Sequence, residues 1–85
     1  MSKIDKLREK INDDSIRVTY TEMAKFLNYL GYAESNKGKT SGSRVRFFRE
    51  RDKHFFNLHK PHPGDDMPMK AKRNVAKLLR ERGDL

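Results

Sequence analysis

Two short runs of alternating apolar and polar residues, separated by four polar ones, constrain this chain most. Ser43 to Arg49 reads Ser-Arg-Val-Arg-Phe-Phe-Arg, and His54 to Leu58 reads His-Phe-Phe-Asn-Leu. A period of two is that of a β-strand, whose successive side chains leave on opposite faces. Between them, Glu50-Arg51-Asp52-Lys53 has the polarity and length of a hairpin connection. Pairing the runs puts Val45, Phe47, Phe56 and Leu58 on one face, a core face. The other face then carries Arg44, Arg46, Phe48, Phe55 and His59 and is basic and aromatic. A slip of one residue at either phenylalanine pair exchanges the faces, so the alternation leaves the register open.

The hairpin needs partners, because 85 residues with 34% hydrophobic and 38% charged content must use each apolar residue on one face of one element. Ser2 to Asn12 reads as a helix: Ile4, Leu7 and Ile11 recur at helical spacing, and Ser2 with Asp5 forms a capping-box pattern. Asn12-Asp13-Asp14-Ser15 ends it. Thr19 with Glu22 caps a second helix, whose stripe is Tyr20, Met23, Phe26, Leu27 and Leu30, and Gly31 supplies the left-handed residue beyond it. Tyr32 to Asn36 is a weak first strand. A last helix spans about Met69 to Arg82, with Asp65 and Asp66 ahead of its positive dipole end and Pro68 suited to its first turn. Ala71, Val75, Leu78 and Leu79 form its inner face, and Lys70, Lys72, Arg73 and Lys77 point outward. The expected architecture is α+β, a three-stranded antiparallel sheet with helices on one face. Residues 1–17 form an accessory helix and turn, and residues 18–85 the main domain.

The charge balance points to a partner. Twenty Lys and Arg against twelve Asp and Glu leave a formal +8, which attracts polyanions, nucleic acid foremost. No long apolar run or signal-like segment appears, so a membrane is not the expected polyanion and the expected compartment is the cytoplasm. The absence of cysteine excludes disulfides and thiolate metal sites and fits that compartment. Lys37 to Gly42 is a basic loop with two glycines, suited either to approaching a phosphate closely or to remaining a solvated surface loop. It is not a nucleotide-binding P-loop, because Gly-Lys-Thr-Ser-Gly-Ser lacks the Gly-x-x-x-x-Gly-Lys order.

His59-Lys60-Pro61-His62-Pro63-Gly64 follows the hairpin, and its two prolines hold it extended. Imidazoles titrate near neutrality, and here two of them stand beside Arg44, Arg46 and Lys60. That combination suits cleavage of RNA by its own 2′-hydroxyl, with histidine moving the proton and arginine stabilising the phosphorane. The same residues also suit plain phosphate contact. His59-x-x-His62 has a metal-like spacing, but it lacks further ligands and Pro61 fixes it extended, so no metal and no cofactor are expected.

These motifs resemble the HicA family of bacterial toxins, RNA-cleaving proteins of type II toxin–antitoxin systems. The resemblance rests on Tyr20-Thr21-Glu22, Leu30-Gly31-Tyr32, the run Lys37-Gly38-Lys39-Thr40-Ser41-Gly42-Ser43-Arg44-Val45-Arg46-Phe47, and the His59–Gly64 loop with Met67 beyond it. It covers Val18 to the end, about four-fifths of the chain. It implies a double-stranded-RNA-binding-domain-like α-β-β-β-α fold, ribosome-independent cleavage of mRNA, and inhibition by a HicB-type antitoxin; the cleavage chemistry above needs no metal, and the charge balance predicts an acidic antitoxin covering the Arg44–His62 region. The chain is then a monomer when free or a hetero-oligomer with that antitoxin. Many HicA-like sequences carry a catalytic histidine after Gly-Ser in the second strand, where this chain has Arg44. Arginine stays protonated at neutral pH and cannot act as a base. By the resemblance, either the acid–base role passes to His62 or His59, with His62 preferred because it matches a histidine common in the other branch, or cleavage is lost and the chain is a non-catalytic RNA-binding module of the same fold. Arg44 stabilises charge, and Lys37, Lys39, Ser43, Arg44, Arg46, Lys60, Lys70 and Arg73 are the RNA contacts expected.

Overall fold

The computed structural model describes residues 2–35, 44–61 and 64–85. Their order is α1 (Lys3–Asn12), α2 (Tyr20–Tyr29), β1 (Ala33–Ser35), β2 (Arg44–Arg49), β3 (His54–His59) and α3 (Met69–Glu81). The fold is α+β, with the strands forming one antiparallel sheet in the order β1-β2-β3.

Both N-terminal helices begin as their sequences dictate. Ser2 Oγ accepts from the Asp5 amide and the Asp5 carboxylate accepts from the Ser2 amide, a reciprocal box. Thr19 and Glu22 repeat it at the start of α2, at 3.0 and 2.9 Å. Gly31 takes φ +102° after the last turn of α2, a backbone conformation that other residues rarely adopt, and a side chain there would touch the Arg49 stem.

The hairpin resolves the register. Val45 pairs with Leu58 and Phe47 with Phe56, so the four large apolar residues share the inner face and are buried. They join Leu7, Ile11, Met23, Phe26, Leu27, Val75 and Leu79 in one core, and helices occupy only that side. The Phe47 and Phe56 rings stack with centroids 6.1 Å apart. Removing two such side chains from water stabilises the fold by about 1.5–3 kcal/mol each. The four-residue connection closes with Lys53 in the left-handed region, at φ 55°.

Four expectations are corrected. β1 is only three residues long, and Asn36 lies outside the described residues. Lys72 does not point outward: it is fully buried and its ammonium donates to the Asp13 carbonyl, next to the end of α1. Arg73 and Arg80 add hydrogen bonds to the Asp14 and Asn12 carbonyls at 3.0 and 2.8 Å, so α3 grips the α1–α2 connection with three cations. Ala76 replaces Leu78 on the inner face of α3, because the small side chain allows close approach while Leu78 stays partly exposed. Finally, Asp65 serves α2 rather than α3. Its carboxylate accepts from the Thr21 amide at 3.2 Å and its carbonyl from the Tyr20 amide at 2.6 Å, and hydrogen bonding from Thr21, hydroxyl and amide, draws its carboxyl pKa below the ordinary range. α3 instead starts from Pro68 with no side-chain cap.

Candidate nucleic-acid interface

The uncovered face of the sheet follows from the pairing. Three cross-strand rows point outward: Arg44 with His59, then Ser35, Arg46 and Asn57, then Ala33, Phe48 and Phe55. Paired residues of an antiparallel ladder have Cα atoms about 4.5–5.5 Å apart, so each row is one contact patch. None of these eight positions holds a carboxylate, although the chain has twelve. Arg44, Arg46, Phe55, Asn57 and His59 are exposed, and Phe48 is partly covered.

Phe55 is 48% exposed, which is costly for a phenylalanine on a sheet face, and Arg46 lies over its ring with Cζ 4.6 Å from the centroid. A guanidinium stacked on an aromatic face is held flat while its edge donors stay free for a phosphate. Four residues along β3, His59 stands opposite Arg44 at the open end of the hairpin. At about 3.3 Å per residue, the aromatic row and the Arg44–His59 row lie about 13 Å apart. Two spaced contact points on a cationic face suit an extended polyanion with flat bases.

Among the residues expected to act, the structure brings Arg44, Arg46 and His59 onto this one face. Lys60 follows directly and turns back over the Tyr20 ring, its Nζ 5.9 Å from the centroid. Lys70 and Arg73 stand on α3, in the helical layer, and Arg73 is engaged with the Asp14 carbonyl. Lys37, Lys39, Ser43 and His62 lie outside the described residues. Among the described residues, no group of three or more His, Asp or Glu side chains could hold a metal ion.

The remaining histidine belongs elsewhere. His54 pairs with Arg49 at the turn end of the hairpin, and its Nδ1 lies 2.6 Å from the Tyr32 hydroxyl. Burial, aided by nearby Arg82, pushes its imidazole below the ordinary range, so the neutral ring is favoured. Beside it, Arg49 is 3% exposed and forms a two-toothed pair with Asp52 and a third bond to Asp84. This is an ion-pair cluster that locks the hairpin turn to the C-terminal segment.

Sequence reasoning passed over Glu34 and Tyr20. Glu34 pairs with Phe47, on the helix side of the sheet, but at the β1 edge it stays exposed. The signal was present in the odd placement of a carboxylate within a strand, but it becomes visible only once the β1–β2 register is known.

Comparisons with protein-family models, with curated proteins and with solved structures find no match.

Proposed function

We propose that this chain binds single-stranded RNA across the open sheet face and cleaves it, as a toxin of the HicA type. The observation that carries the reading is the carboxylate-free outer face, where Arg46 is stacked on an exposed Phe55 and Arg44 stands opposite His59. Guanidinium groups grip phosphates at any sequence, and an exposed aromatic ring stacks on any unpaired base. The +8 charge and the extended His59–Pro61 segment agree with it.

In the cleavage step, an imidazole at the open end of the hairpin takes the proton of a 2′-hydroxyl as its oxygen attacks the adjacent phosphorus. Arg44 and Arg46 stabilise the extra negative charge of the phosphorane. The bond to the 5′-oxygen breaks, that oxygen is protonated, and the products are a 2′,3′-cyclic phosphate and a 5′-hydroxyl. His59 is the described imidazole on this face, and His62 is the second candidate for the acid–base pair. The protein acts in the cytoplasm, and its natural inhibitor is an acidic HicB-type antitoxin that covers Arg44 to His62.

One observation favours a second reading, a non-catalytic RNA-binding module. Arg44 occupies the strand position where HicA-like sequences carry the catalytic histidine, and its guanidinium cannot accept a proton. Purified protein incubated with a long RNA in EDTA-containing buffer separates the two. Fragments ending in cyclic phosphate, lost in the His59→Ala and His62→Ala variants, support the enzyme. Intact RNA that nonetheless binds the protein supports the module.

A further inference from the structure

A depression of about 370 Å³ lies between α2, β1 and the segment after β3, and its lining includes Tyr20, Asn28, Glu34, Lys25 and Lys60. Two features set it apart from ordinary surface relief. Tyr20 is 4% exposed, and its hydroxyl makes no hydrogen bond of good geometry among the described residues. Burial first, then the Glu34 carboxylate close enough to polarise it, pushes that phenol up to about 12, so it keeps its proton as a donor. An unpaired buried hydroxyl costs free energy unless something completes it. Glu34, for its part, brings an exposed carboxylate to the helix side of β1 and forms no ion pair among the described residues.

We infer that this depression receives a guanine base of the bound RNA, with Glu34 reading its edge. The chemistry singles out guanine. A carboxylate offers two acceptor oxygens side by side, and guanine is the RNA base that presents two adjacent donors, N1–H and the N2 amino group, along one edge. Adenine and cytosine present one amino donor next to an acceptor nitrogen, which faces the second carboxylate oxygen unfavourably. Uracil has one imide donor flanked by two carbonyls. The Tyr20 hydroxyl and the Asn28 amide supply the remaining donors for the guanine carbonyl, and the ammonium groups of Lys25 and Lys60 neutralise the flanking phosphates. Lys60 immediately follows His59, so a nucleotide seated here continues into the strand on the open sheet face. As a specificity pocket for a polymer, the inference rests on the proposed RNA binding. As a nucleotide site, it stands on the cavity alone.

The test uses the full chain labelled with ¹⁵N and titrated separately with GMP, AMP, CMP and UMP. GMP is expected to shift the amides of Thr21, Asn28, Glu34 and Lys60, and to bind about ten-fold or more tighter than the other three. Glu34→Gln replaces one acceptor with a donor and is expected to bring the four to within about two-fold, because the two-donor edge no longer has its match. Tyr20→Phe is expected to weaken GMP several-fold while changing the melting temperature little, since the hydroxyl makes no hydrogen bond of good geometry within the chain. Equal binding of the four nucleotides, shifts confined to the sheet face, or an undiminished GMP preference in Glu34→Gln overturns the inference. RNA binding that depends on Arg44 and Arg46 but ignores guanine content refutes the pocket and leaves the RNA reading intact. GMP selectivity without RNA binding does the reverse.

Discussion

Replacing Arg49 by methionine tests the electrostatic lock at the turn end of the hairpin. The guanidinium is buried and makes four hydrogen bonds: Nε and Nη2 to the two Asp52 oxygens at 3.0 and 2.8 Å, Nη2 to Asp84 at 3.0 Å, and Nη1 to the Leu30 carbonyl at 3.3 Å. It also stacks on Tyr32 with Cζ 4.5 Å from the ring centroid. Methionine keeps most of the stem against Tyr32 and Gly31 but strands Asp84, whose side chain is only 11% exposed. Breaking a buried pair by removing one partner costs about 3–5 kcal/mol. Here Arg82 stays paired with Asp52 at 2.5 Å and Arg51 stays near Asp84, so a loss at or just below the bottom of that range, about 2–3 kcal/mol, is expected. A domain of this size has a total stability of about 4–13 kcal/mol, so the variant should still fold. At about 4–8 °C per kcal/mol, its melting temperature should fall by roughly 8–24 °C. Urea unfolding followed by far-ultraviolet circular dichroism measures the change directly, and an unchanged m-value shows that the comparison is of like with like. In a double-mutant cycle with Asp84→Asn, the two losses should be less than additive, by about 1 kcal/mol. A stability within about 0.5 kcal/mol of the parent, the range of an ordinary surface change, refutes the view that this cluster holds the hairpin to the C-terminal segment.

Other regions answer to simpler perturbations. Thr19→Ala removes the hydroxyl that accepts from the Glu22 amide and should cost about 1 kcal/mol in thermal or urea unfolding. His54 has a folded pKa below its unfolded value of about 6.5, so the unfolded chain binds more protons there. Its stabilising contribution is therefore complete above the unfolded value and is lost as pH falls below it. The melting temperature should drop between about pH 7 and pH 5, and His54→Gln should flatten that slope. An unchanged slope contradicts the assignment. Phe55→Ala should leave the melting temperature nearly unchanged, because the ring is half exposed, yet weaken RNA binding by about 1–3 kcal/mol in a fluorescence titration, the worth of one stacked base.

Much of this fold is legible in the order of residues, for a physical reason. The β2–β3 hairpin is readable from its two-residue period, but not its register, because Phe47-Phe48 and Phe55-Phe56 offer a phenylalanine to either face and only the pairing puts Phe47 and Phe56 in the core. The two capping boxes are readable because they are local and close within four residues. Lys72 and Asp65 were misread because their partners are remote. Each looked like part of the helix nearest in sequence. Yet Lys72 finds the Asp13 carbonyl and Asp65 finds the Thr21 amide, 59 and 44 residues away. Such contacts depend on which chain ends meet in three dimensions. The same applies to the site. Arg44 facing His59 follows from the hairpin alone, whereas the Tyr20–Glu34 depression exists only once β1 is laid beside β2 and the segment after β3 folds back over α2.

The central claim is that the open sheet face holds RNA through its arginines, and the salt dependence of binding tests it most directly. Each phosphate contact to a single strand contributes about 0.7 to the slope of log K against log salt, so the Arg44→Ala/Arg46→Ala double variant should be shallower by about 1.4. Both side chains are exposed and unpaired with any carboxylate among the described residues, and the fold loses only the Arg46–Phe55 stack, about 0.5–1 kcal/mol, so the melting temperature should fall by no more than about 2–8 °C. A weaker affinity with that shallower slope is the predicted result. An affinity and slope equal to those of the parent would place the RNA elsewhere and contradict the account.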